Sequence, residues 1–256
     1  MAIKKAKVFT VTSVKGGTGK TTTALNLAGT FSQKNYKTLI IDLDLFSGTI
    51  GLALNVQSKK NIFTAMDDMV NNRFTFIEDY VVPFNDNIDV LCASIDPRLA
   101  SKINIKYLSV LLRKAKMKYQ IIIIDTNHVL NDINLMTFDY SDEILYVINN
   151  NPANLKNIKT MISIHKDMEQ DNYKIILNES NEKSKNYFSN YDIKNIIKND
   201  INYIIPSSFY IKNFDKYVLD GKILVLDKKI IKNNKKSIKV FEHIADDLIN
   251  DTKDED

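Results

Sequence analysis

Between Val11 and Ala28 the chain reads VTSVKGGTGKTTTALNLA, and this stretch restricts the available folds more than any other. The run leading into it, AKVFTVTS, is apolar and rich in strand formers. The run leaving it, TTTALNLAGTFSQK, places apolar residues at helical spacing. Strand, glycine turn and helix in that order form the phosphate-cradling unit of α/β folds. Gly16, Gly17 and Gly19 let the backbone turn tightly and present N–H groups to phosphate oxygens. The helix beginning near Thr21 adds the positive end of its dipole. The usual phosphate loop reads G-x-x-x-x-G-K-[ST]. Gly19, Lys20 and Thr21 match its end, but Val14 stands where the first glycine belongs, and a second lysine, Lys15, stands beside it. In this pattern Lys20 reaches the β and γ phosphates of a nucleoside triphosphate, and the Thr21 hydroxyl can ligate magnesium.

Six further runs, KTLIIDLD, NIDVLCAS, YQIIIIDT, EILYVINN, YKIILNES and INYIIPSS, are continuous and branched, as strands covered on both faces are. Amphipathic stretches fall between most of them, roughly Ile105–Lys118, Asn154–Asp167 and Asp192–Lys198. The alternation predicts an α/β fold: a doubly wound, mostly parallel sheet of about seven strands with helices on both faces, the architecture of P-loop nucleotide hydrolases. No linker rich in Pro, Gly or Ser interrupts the 256 residues, so one domain over 1–256 is expected, with an acidic tail from about residue 250. The last helix, roughly Ser237–Asn250, gathers Ile238, Phe241, Ile244, Ala245, Leu248 and Ile249 on one side, so it is expected to pack on the core. Its other face, His243, Asp246, Asp247 and Asn250, lacks the cations of a membrane-surface helix.

Composition narrows the function. The single cysteine, Cys92, excludes a disulfide framework and a multi-cysteine cluster, and fits a reducing cytosol. The start MAIKKAKVFT has no apolar core, and no apolar run is long enough to span a bilayer. No integral membrane segment is expected. The location is cytoplasmic, with polar or membrane association only through partners. Net charge is +4 but uneven: Lys194 to Lys239 hold eleven lysines against four aspartates, and the last eleven residues hold six acids against Lys253. The basic region is either a solvated face or a contact for nucleic acid or anionic lipid, nonspecific DNA among them.

Asp42 and Asp44 end a strand one residue apart and so share a face, at the carboxyl end where ligand crevices form. Asp125 ends the four-isoleucine run, the place for an aspartate that holds magnesium through water. Asn178 and Pro206 end two later strands.

The segment KGGTGKTT resembles the deviant phosphate loop, K-G-G-x-G-K-[ST]-[ST], of the ParA/MinD group of ATPases. The resemblance implies bound ATP and Mg2+, with Gly16, Gly17, Thr18, Gly19, Lys20, Thr21 and Thr22 around the phosphates and Asn178 and Pro206 around the adenine. It implies Thr21, Asp42 and Asp125 around the metal. It makes Lys15 the signature lysine, contacting phosphates held by the other subunit of a nucleotide-sandwich homodimer, and assigns Asp44 to orient the attacking water. LIIDLDLFSGTIGLAL and DTNHVLNDINLMTFDYSDEILYVINNNPANLKNIKTM look most similar to the CpaE/TadZ branch, which serves Tad (Flp-type) pilus and secretion assembly. Many members continue D-x-P-x-G after the second acid. Here Asp125 is followed by Thr126, Asn127, His128 and Val129, with neither Pro nor Gly, and His128 reads either as a proton-transfer group or as a partner-facing or packing residue of the loop. One cysteine is too few for iron–sulfur carriers, and an acidic tail is unlike that of MinD proper. The reading is a slowly hydrolysing dimeric ATPase that switches the localisation or assembly of a pilus or secretion system. The alternative is a partition or division-positioning ATPase that binds DNA or a membrane-linked partner. A third is a nucleotide-locked scaffold.

Overall fold

Apolar residues, isoleucine, leucine and valine foremost, fill the long strands because both sheet faces are buried. The computed structural model describes residues 5–180 and 188–250, so most of the acidic tail lies outside the described residues. The strands are β1 (Lys7–Thr12), β2 (Thr38–Leu43), β3 (Val82–Pro83), β4 (Ile88–Leu91), β5 (Ile121–Thr126), β6 (Glu143–Ile148), β7 (Tyr173–Asn178) and β8 (Tyr203–Ile205). The helices are α1 (Lys20–Gln33), α2 (Thr49–Ala53), α3 (Ile62–Val70), α4 (Ile105–Lys116), α5 (Asp132–Asp139), α6 (Pro152–Asp167), α7 (Asn190–Ile197), α8 (Phe214–Leu219), α9 (Lys228–Asn233) and α10 (Lys235–Asn250).

The sheet runs β3-β4-β2-β5-β1-β6-β7-β8. All neighbours are parallel except the β3–β4 pair. Seven strands are the seven apolar runs of the sequence. The eighth, β3, is two residues long and ends in Pro83, a residue tolerated only where no further ladder bond is needed, at an edge. Alternation along the strands splits the core. Phe9, Val11, Ile40, Ile121, Ile123, Leu145 and Ile176 pack beneath α1 and α10. Val8, Leu39, Ile41, Ile122 and Ile124 pack beneath α3 and α4, and Ile144, Tyr146, Ile175 and Leu177 beneath α6 and α7. Helix α10 buries Ile238, Phe241, Ile244, Ala245 and Leu248, as its pattern predicts, and starts two residues earlier than expected. Helix α7 stops where Lys198 turns left-handed at φ 55.

Helix α1 lies so close to the segment 223–226 that a Cβ on Gly29 would sit 2.6 Å from Val225 Cγ2 and 2.7 Å from Ile223 Cγ2. Gly29→Ala is therefore expected to lower stability by about 1–3 kcal/mol through overpacking, despite alanine's better helix propensity. Urea unfolding measures this; unchanged stability would show that the segment yields freely.

A candidate nucleotide-phosphate site

The chain winds outward from β1 in both directions, so the crevice lies beyond the carboxyl ends of β1, β5 and β2. The glycine loop occupies it. Gly17 (φ 76) and Gly19 (φ 95) are left-handed, and nothing lies within 4 Å of a Cβ on Gly17, so backbone conformation rather than space requires glycine there. The Ser13 hydroxyl donates to the Lys15 carbonyl (2.6 Å), and the amide and hydroxyl of Thr23 both donate to the Gly19 carbonyl (2.9 Å each). Lys20 is largely buried, whereas Lys15, Gly16 and Gly17 are exposed. Thr22 is half-buried on the first turn of α1.

The register pairs Asp42 of β2 with Asp125 of β5, so two wholly buried carboxylates stand side by side at the strand ends. Asp125 accepts from the Thr21 hydroxyl at 2.6 Å, and its other oxygen is buried without a partner among the described residues. Burial pushes its pKa up to about 7; the Thr21 hydrogen bond and the Lys20 ammonium pull it back, and Asp44 adds to the rise. Asp42 also lies well above the usual range, from burial first and Asp125 second. Both of its oxygens accept backbone amides, from Asp44 (3.1 Å) and Ile50 (2.9 Å), so it shapes the turn between β2 and α2. Asp44 is half-buried. Thr49, on the first turn of α2, lies 3.2 Å from the Thr21 hydroxyl and extends the cluster in a way no motif announces.

Asn178 and Ile205 are register partners, which brings Asn178 and the half-buried Pro206 to one rim. The Asn178 amide group donates to the Thr18 carbonyl (2.8 Å), and its oxygen accepts from Ser180. Asn178 thus braces the buried Thr18 of the phosphate loop.

The Thr21–Asp125 pair suits magnesium: two oxygens at the loop, one acceptor unused, and the hard donor type that ion prefers. No group of three or more His, Cys, Asp or Glu among the described residues could hold a metal unaided. That fits an ion completed by phosphates and water. No helix of the described residues is long and apolar enough to cross a membrane.

A family model described as AAA domain matches residues 6–179. The chain is 26% identical over 162 residues to the septum site-determining protein MinD of Neisseria meningitidis, a match covering 62% of this chain and 59% of that protein. It spans about half to two thirds of the length of the curated relatives it matches. In structure it is similar to a ParA family ATPase from Chlorobium tepidum, with TM-score 0.79 and 20% identity over 93% of this chain and 98% of that one. It is also similar to MinD from Pyrococcus horikoshii complexed with Mg-ADP, with TM-score 0.77 and 22% identity over 97% and 99%. These likenesses establish a P-loop fold of the ParA/MinD kind. The matched span takes in the phosphate loop, both aspartate strands and Asn178, and the chain belongs to the AAA-domain family, with the fold of ParA/MinD-type ATPases.

Proposed function

We propose that this chain is a MgATP-dependent ATPase of the partition or positioning kind, working as a pair of copies that share nucleotide. One observation carries the reading: the Thr21 hydroxyl held 2.6 Å from a buried Asp125 whose second oxygen has no partner, beside a loop of left-handed glycines. Loop amides and Lys20 would hold the triphosphate and spread charge as water attacks the γ phosphate in line. Magnesium, when bound, supplies further neutralisation of that charge; Thr21 and Asp125 would hold it, with Asp42 behind them. Asp44 would orient the water, and Asn178 and Pro206 would face the base. Turnover would be slow, because the Asp125 carboxylate is committed to the metal and Asp44 only orients the water.

Lys15 supports the pairing. It is exposed, and its ammonium has no partner among the described residues. Lys15→Ala is expected to keep ADP affinity within about twofold but to abolish nucleotide-dependent dimerisation, read by sedimentation. A variant that pairs normally would refute the sharing.

A nucleic-acid partner is supported by a cavity of about 490 Å³ onto which Lys212, Lys216, Lys222 and Lys229 open with Tyr210 and Tyr217. The basic region is less uniform than its sequence suggests, since Asp200 neutralises Lys194, and Asp220 and Asp227 flank Lys222. The same experiment, repeated with random duplex DNA and MgATP at rising salt, separates the partners: steep loss of binding supports partition, and no binding supports a protein partner. A Tad/Flp pilus role rests on the CpaE/TadZ-like segments alone, and none of the relatives named above carries it. We therefore prefer the partition or positioning reading.

A further inference from the structure

The segment after Asp125 has neither proline nor glycine, and it is held in another way. The Asn127 side chain accepts from the Val129 amide (2.9 Å). The Asn134 side-chain amide, reaching back from α5, donates to the Asn127 carbonyl (3.3 Å), the Asn127 side-chain oxygen (3.2 Å) and the Val129 carbonyl (2.7 Å). Asn131 caps the helix by accepting from the Asn134 amide at 3.0 Å. Asn127 and Asn134 are both buried. This clasp places the exposed His128 beside the phosphate loop. Its imidazole Cε1 and Nδ1 both lie 3.9 Å from where a Cβ on Gly16 would be, so the ring stands over that residue with room for about a methyl group between them. Beside the ring a void of about 30 Å³ separates Ser13 and Val14 from Val129 and Leu130. Asn134 also lines that void, and its side-chain oxygen is buried without a partner among the described residues.

We propose that His128 is a positioning residue for Lys15: the clasped imidazole stands beside Gly16 and bounds the movement of the Lys15–Gly16 peptide, limiting the directions in which Lys15 can leave the loop toward the other subunit. Gly16 has no side chain with which to brace itself. Lys15 has a long flexible stem, and its reach across a dimer depends on the backbone that carries it. That backbone is held on one side by the Ser13 hydroxyl at the Lys15 carbonyl, and on the other the nearby ring limits how far it can move. The ring acts by its flat bulk, so the role belongs to shape rather than to a proton.

This inference rests on the proposed nucleotide-sharing ATPase, and the test separates the two. Wild type, His128→Ala and His128→Phe are compared for fluorescent ADP affinity, for dimerisation with Mg2+ and a slowly hydrolysed ATP analogue, and for kcat and KM. Because His128 is exposed, thermal midpoints are expected to agree. His128→Ala is expected to keep ADP affinity within about twofold and KM unchanged, while dimerisation and kcat fall about tenfold. His128→Phe, which retains the ring, is expected to recover most of both. Wild-type dimerisation in His128→Ala overturns the inference, as does a Phe variant no better than the Ala variant. Equal losses of ADP affinity and dimerisation also overturn it, because the ring would then serve nucleotide in its own subunit. A wild-type chain that binds no nucleotide, or binds it and stays monomeric, overturns the proposed function together with this inference.

Discussion

Lys20→Ala is expected to weaken ATP binding roughly a hundredfold while leaving the fold intact. Lys20 heads α1 with its side chain largely buried at the loop, and its ammonium acts electrostatically on Asp125. Charge-assisted hydrogen bonds contribute about 1.5–3 kcal/mol each, and every 1.4 kcal/mol is tenfold in affinity. Two such contacts to phosphate, partly replaced by water in the variant, give the stated factor. Calorimetric titration with MgATP measures it. Affinity within threefold of wild type would mean that phosphate does not sit on this loop. The variant also removes the cation nearest Asp125, so the Asp125 carboxyl is expected to hold its proton to still higher pH.

Asp125→Asn is expected to separate stability from function in opposite directions. In the folded chain Asp125 ionises near pH 7 rather than 3.8, mainly because it is buried. Between those values the native state binds more protons than the unfolded one, so this group's contribution to stability declines as pH rises from about 4 to 7. Holding it ionised at pH 8 costs about 4 kcal/mol. The amide removes that cost but places a donor where an unpartnered oxygen stood, at about 1–3 kcal/mol. The apo variant is therefore expected to be about 1–3 kcal/mol more stable at pH 8, a rise of roughly 2–12 °C in Tm, with little or no gain at pH 5. Magnesium-dependent turnover is expected to disappear. A variant less stable at pH 8 than wild type would show that the carboxylate is not a burden in the empty site.

The sequence made the sheet legible because burial on both faces leaves an unbroken signature. Each of the runs from AKVFTVTS to INYIIPSS became a strand, and Asp42 and Asp125 landed at their ends. Strand β3 carried no such mark: two residues at an edge have no period to read. The short helices α2, α8 and α9 escaped for the same reason, each being six residues or fewer. Within the site, the loop residues and the acids were legible from spacing. The Asn127–Asn134 clasp and the Thr49 contact were not, since both depend on side chains meeting across turns. Asn178 was legible as a strand end, but its bond to the Thr18 carbonyl required the β7–β8 register and the path of the loop.

Helix α8 has no fully buried side chain and packs Tyr217 only in part against the core, yet it rests on α2, and Gly221 at its end lies against the Leu54 carbonyl. Amides in such a helix exchange with solvent through local opening that costs far less than global unfolding. A binding partner can therefore reorder α8 cheaply. Because the first turn of α2 carries Thr49 to the Thr21 hydroxyl, that rearrangement has a short mechanical route to the phosphate end of the crevice.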